Sequence, residues 1–400
     1  MLRVMLRLAL AGSLLAVAAS CGGGQAITKA VAKDPDKKQA KHLVDDAHAK
    51  AAAGKIEDAD RSYGEAYALA NDAPKLAWEI LVEWVEFLNG AGRHGRACDV
   101  AKQYYDTNPT EIKGYQLYAD ALLAGNRAPQ ALEVATQLVQ LNGDDPSGHD
   151  RRGRALMLLD RPEDAADELR KAVQLDTTNA RYHMALGEAL QQMKVVNEAA
   201  LEFRAALKNA PDDPEAHVLL GMALRDQEEL DEAKTYLDKA IALDARNGRA
   251  YFELGVLYNR QFKQAEAEEA FGKAVKFSPN NSRFWYAYGE IYRVQDRLDE
   301  AISAYRKAVE LDPPFPKAIG KLGATLVDKK QYDEAETVLT SAIRREPKTA
   351  TNYWHLGRAY AAKRKNRAAI DSCETFLKLA AKNDPDRDRA RDLIGQLKRR

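Results

Sequence analysis

A glycine returns every 34 residues in this chain: Gly153, Gly187, Gly221, Gly255, Gly289, Gly323 and Gly357. Twelve positions after each stands an alanine (Ala165, Ala199, Ala233, Ala267, Ala301, Ala335 and Ala369), and the alanine row continues upstream through Ala131 and Ala97. A fixed period of about 20 to 50 residues marks an array of repeats, each a supersecondary unit that stacks on its neighbours. Glycine inside a helix costs about 1 kcal/mol against alanine. Its return in one register makes sense where a missing side chain lets two helices approach closely. Such an array presents extended surface, not a single central core.

Numbering places from the start of each unit, nine units begin at 78, 112, 146, 180, 214, 248, 282, 316 and 350. In the unit at 282, Trp285, Tyr288, Gly289 and Tyr292 form one stripe of a first helix. Asp296 and Arg297 make the turn. Asp299 and Glu300 open a second helix, where negative charge suits the N-terminus. Ala301, Tyr305 and Ala308 are its buried stripe, and Pro313 stops it. An aromatic at place 4, Leu or aromatic at 7, Gly at 8, Tyr at 11, Ala at 20, aromatic at 24, Ala at 27 and Pro at 32 resemble the tetratricopeptide consensus. The resemblance covers residues 40–383 and implies an all-α fold: a right-handed α-solenoid of about ten helix pairs with a C-terminal capping helix. Val85 and Ala119 replace the glycine in the first two in-frame units, and Arg152 takes a place usually filled by leucine. Looser packing is expected there.

Residues 1–20 read as a secretory signal: Arg3 and Arg7 precede an apolar run from Leu8 to Ala19 that is too short to span a bilayer. Ala18-Ala19-Ser20-Cys21 resembles a bacterial lipobox, with Ala18 where the motif prefers leucine. The resemblance implies lipidation (palmitate) of Cys21 and a bacterial envelope location. Gly22, in place of an inner-membrane aspartate, favours an outer-membrane lipoprotein facing the periplasm. The rival is ordinary cleavage and a soluble periplasmic protein. Residues 21–39 are expected to be the lipidated cysteine and a flexible tether. Residues 40–77 form a degenerate first unit, with Pro74 to Ala77 as spacer, and 78–383 hold the nine in-frame units. Residues 384–400 form the capping helix.

Lys+Arg equals Asp+Glu at 60 each, which argues against bulk attraction to nucleic acid. Cys98 and Cys373 lie at opposite ends of the array and read as small buried hydrophobes. His149, His183 and His217 share place 4 of successive units. Helices packed about 8–10 Å apart rarely converge such side chains on one zinc ion, so they read as ring substitutes between helices. No nucleophile with a spaced base, phosphate-cradling loop or metal-ligand pair stands out. The expectation is no enzyme, no cofactor and no metal. The run Arg151, Arg152 and Arg154 reads as ion pairs to acids such as Asp120 or Glu188, with an anion site as the alternative. The apolar helix from Trp78 to Leu88 is expected to be buried, or else to form a partner surface.

Places 2, 5, 9 and 12 of the first helix lie opposite the packed stripe. In tetratricopeptide proteins this face lines the groove that binds partners. Here it carries Arg181, Glu188, Arg225, Arg249, Phe252, Asn259, Arg283, Tyr286, Glu290, Arg293, Lys317, Trp354 and Arg358. Arginine and aromatics are the residues that dominate interface hot spots. The chaperone-adaptor carboxylate clamp is absent, because place 5 carries Asp150, Met184, Val218, Phe252, Tyr286, Gly320 and Trp354 instead of lysine. The favoured expectation is a lipid-anchored scaffold binding protein partners in an envelope assembly, similar to pilotin-like or motility- and secretion-machine repeat lipoproteins. Two others stay open: a protein binding or processing cell-wall glycan, with Phe252, Tyr286 and Trp354 stacking sugars, and a self-assembling array.

Overall fold

The computed structural model describes residues 34–313 and 315–399. The secretory signal, Cys21 and residues 22–33 lie outside the described residues. Every described element is an α-helix. In chain order they are α1 (Asp34–Ala52), α2 (Ile56–Leu69), α3 (Pro74–Gly90), α4 (His94–Thr107), α5 (Ile112–Ala124), α6 (Ala128–Leu141) and α7 (Pro146–Leu158). Then follow α8 (Pro162–Leu175), α9 (Ala180–Gln192), α10 (Val196–Asn209), α11 (Pro214–Asp226), α12 (Leu230–Leu243), α13 (Gly248–Arg260) and α14 (Gln264–Phe277). The last are α15 (Ser282–Val294), α16 (Leu298–Leu311), α17 (Pro316–Asp328), α18 (Tyr332–Arg345), α19 (Ala350–Ala362), α20 (Asn366–Leu379) and α21 (Arg387–Lys398). The chain divides into two compact units at Pro109/Thr110, with α1–α4 in the first and α5–α21 in the second.

In the first unit each helix packs on the next. Two sequence expectations change here. Residues 34–39 are helical, not tether, and Pro74–Ala77 are the opening turn of α3, not a spacer. Pro74 stands in the first turn of α3, where its fixed φ suits a helix and its missing N–H costs nothing. The apolar helix α3 is internal: Ile80, Leu81, Trp84, Val85 and Leu88 are buried. Trp84 Nε1 donates to Asp60 Oδ1 at 2.7 Å, and Tyr63 lies against Phe87 with ring centroids 5.3 Å apart.

The second unit is a solenoid of helix pairs, and its seams explain the glycine row. A Cβ on Gly255 would fall 2.8 Å from Phe271 Cδ1, and one on Gly289 would fall 2.7 Å from Tyr305 Cε1. The same relation, place 8 against place 24, holds at Gly153 (Leu169), Gly187 (Phe203), Gly221 (Leu237), Gly323 (Leu339) and Gly357 (Cys373). Cys98 and Cys373 are both buried free thiols; burial pushes the Cys373 thiol up to about 11.

Three further features recur with the period. Asp145, Asn179, Asp213, Asn247 and Asn281 cap α7, α9, α11, α13 and α15 by accepting from backbone N–H groups of the first turn. Between the helices of each pair one residue adopts positive φ: Asn126, Asp160, Lys194, Glu228, Phe262, Asp296, Lys330 and Arg364, preceded in the first unit by Gly54 and Gly92. Lastly, in five repeats place 4 bonds the carbonyl six residues upstream, at place 32 of the preceding repeat. His149 reaches Gly143 O (3.2 Å), His183 Thr177 O (3.0 Å), His217 Pro211 O (2.9 Å), Trp285 Pro279 O (2.8 Å) and Tyr353 Pro347 O (3.1 Å). The histidines thus stand where a ring carrying an N–H or O–H is needed.

Candidate protein-binding clefts

Stacking in the second unit lines up the exposed faces of its first helices, and a cleft of about 860 Å³ opens across them. Among the residues lining it are Arg154 (α7), Arg181 and Glu188 (α9), Met222 (α11), Arg249 (α13) and Arg283 (α15). Four of the sequence-predicted residues, Arg181, Glu188, Arg249 and Arg283, therefore meet in one place. Arg249 pairs with Glu215. Arg283 is exposed and has no ion pair among the described residues. Glu188 is wet yet walled in by protein; this crowding holds its carboxyl above the usual range, against the pull of Arg249. Beneath the cleft lies Asp150, only 1% exposed. Its Oδ2 is 4.0 Å from both Arg154 and Arg181, beyond hydrogen-bond reach, and its Oδ1 has no partner among the described residues. Burial raises its carboxyl, partly offset by Arg154, Arg181 and Arg151.

Arg151 donates to Asp120 at 2.6 Å and Arg152 lies 3.7 Å from Glu168, so both are ion-paired as expected. Arg154 alone of that run faces the cleft. The sequence reading missed Met157, Leu219 and Met222, which give the cleft its apolar floor.

A second cleft, of about 510 Å³, gathers Tyr286, Arg293 and Lys317 with Gly320, Lys321, Asn352 and His355. Burial, with the charge of Arg358, drives the His355 imidazole down to about 4, so it is neutral at physiological pH.

The remaining predicted groove residues are elsewhere. Trp354 is 7% exposed, 5.8 Å from the Phe376 ring, in a core with Cys373 and Ala390 of α21. The capping helix α21 covers this face and takes the ring. Phe252 is stacked on Phe284 at 4.5 Å and tilted against Phe271. Place 5 thus turns into the seam between repeats, because the next first helix packs over it; Asp150 and Val218, also at place 5, are buried. The aromatic row offered for sugar stacking is dispersed. Arg225 pairs with Glu253 and lies 3.0 Å from Asp226; its side chain is 11% exposed, a structural pair, not a groove contact. Glu290 accepts from Tyr305 and Lys321, and Arg358 donates to Asp328 at 2.9 Å. Asn259 is exposed and lines neither cleft. Among the described residues no cluster of His, Cys, Asp or Glu could hold a metal ion, and no helix is long and apolar enough to cross a membrane.

The comparisons bear on the repeat fold. The tetratricopeptide repeat family model matches residues 118–180, 151–214, 184–233 and 218–282. The model for the middle TPR-like domain of cilia and flagella-associated protein 70 matches residues 258–380. The crystal structure of the APC/C hetero-tetramer Cut9-Hcn1 is similar over 80% of this chain and 76% of its own, at 14% identity and a TM-score of 0.55. Yeast Tom70 is 15% identical over 91% of this chain and 96% of its own, with a TM-score of 0.48. YrrB, described as a TPR protein with an unusual peptide-binding site, is 22% identical over 50% of this chain and 100% of its own, with a TM-score of 0.44. No curated protein matches the chain. The fold is an α-helical repeat solenoid of the kind that typically serves as a non-catalytic interaction scaffold. The chain is a tetratricopeptide-repeat protein.

Proposed function

We propose that this protein is a lipid-anchored scaffold of the bacterial envelope that binds a protein partner in the arginine-lined cleft. One observation carries the reading: Arg154, Arg181, Arg249 and Arg283 converge over an apolar floor containing Met157, Leu219 and Met222. Arginine over apolar surface is the chemistry of interface hot spots. It suits a segment bearing acidic and apolar side chains, with the arginines setting its register and the floor supplying desolvation. Arg283, without an ion pair among the described residues, is the first contact expected to form.

The leader motif supports the anchor. Lipidation of Cys21 would hold the scaffold at the outer membrane, facing the periplasm, as a component of pilus, secretion or motility machinery. Photo-crosslinking in cells from Met222 tests the cleft. A crosslinked protein that disappears with Arg181→Glu/Arg249→Glu, while helicity is unchanged, supports it; crosslinks indifferent to these changes refute it. Labelling with a fatty-acid analogue, with and without Cys21→Ser, tests the anchor. Label absent from both forms would remove it.

A further inference from the structure

We propose that the notch between Gly320 and Asn352 grips the main chain of an extended peptide segment that places an acidic side chain against Lys317. The inference deepens the scaffold reading and rests on it. Asn352 is 2% exposed, and it lines the second cleft. Among the described residues neither atom of its side-chain amide has a hydrogen-bond partner. An unpaired amide on a cleft wall is open to a partner that can pair with it. The amide presents one carbonyl acceptor and an NH₂ donor in a plane. An extended peptide offers an N–H and a C=O of its own to pair with both.

Gly320 makes the amide reachable. It stands at place 5 in the interior of α17, where other residues form helix better. A Cβ there would sit 2.8 Å from Asn352 Oδ1. Two repeats earlier the corresponding seam is closed, because Phe252 at place 5 stacks on Phe284 at place 3. At 320 and 352 the same seam is open and polar. Its charge selects the occupant. Lys321 is engaged by Glu290 at 2.8 Å, whereas Lys317 is exposed and has no ion pair among the described residues.

The test is a random twelve-residue peptide library displayed on phage and panned against the full chain, with the enriched peptides then synthesised. The expected peptides carry an acid and weaken at least tenfold on Asn352→Leu and on Gly320→Ala. Both variants should melt at or above the wild-type temperature, since one removes an unpaired amide and the other a helical glycine. Replacing one peptide bond of the bound peptide by an ester should weaken binding about tenfold at one position only. Peptides retained by both notch variants but lost on Arg181→Glu overturn the notch and leave the scaffold reading standing. Enrichment of no peptide, or binding indifferent to every variant, overturns both. A lower melting temperature for both notch variants with unchanged peptide affinity assigns Asn352 a packing role and also overturns the notch.

Discussion

Seven repeats place glycine at place 8 against Leu, Phe, Tyr or Cys at place 24. Of the two repeats before them, one exchanges the sizes, with Val85 at place 8 in register with Ala101 at place 24, and the other carries alanine at both places, Ala119 and Ala135. All four are buried, none more than 2% exposed. The expected loosening at Val85 and Ala119 is therefore not needed, because the opposite side chain has shrunk. At most one side of the seam carries a large residue, as a close-packed interior requires. The small residue can sit on either helix.

Breaking the comparison should be most costly where one side is enlarged alone. Gly255→Leu drives a branched side chain into Phe271 and should lower stability by about 3 kcal/mol, read from urea melts followed by circular dichroism. Leu237→Ala alone should cost about 2–4 kcal/mol. Adding Gly221→Val to it recreates the exchanged seam and should recover at least about 1 kcal/mol; a double-mutant cycle measures the coupling. Strict additivity would show that the two places do not share a volume.

Acid sharpens a different contrast. His355 titrates near 4 in the folded chain, against about 6.5 unfolded. The unfolded chain binds more protons between these values, so this group's contribution is complete above pH 6.5 and is lost as pH falls toward 4. His355→Gln should flatten that part of the melting profile relative to wild type. Helix caps distinguish repeats at smaller scale: Asp213→Ala removes bonds to Glu215 and Ala216 N–H and should cost about 1 kcal/mol. Thr349, which makes no side-chain cap bond to α19, should tolerate alanine. The smallest effect has the opposite sign. Phe262 holds φ +59° and is 88% exposed, so Phe262→Gly should stabilise by a few tenths of a kcal/mol to about 1 kcal/mol.

The period made the helix pairs legible, because each repeat restates the same stripe. The direction of place 5 was not legible. A helical wheel sets it opposite the glycine, but the wheel of one helix does not contain the following repeat, which covers Phe252 and Val218. Arg225 likewise looked like a groove arginine until Glu253, on the next first helix, claimed it. The turn residues from Asn126 to Arg364 share a backbone conformation but no chemistry, so residue type does not announce it.

The place 4 bonds bear on compliance. Rings with an N–H or O–H latch five inter-repeat loops to the helix that follows. Ile319 occupies that place in α17 and has no donor to offer. There the Pro313 carbonyl is held by Arg345, an exposed guanidinium at the end of α18. Under tension this joint has a different fastening from the ring latches, one that a visiting carboxylate can undo, and it adjoins the second cleft.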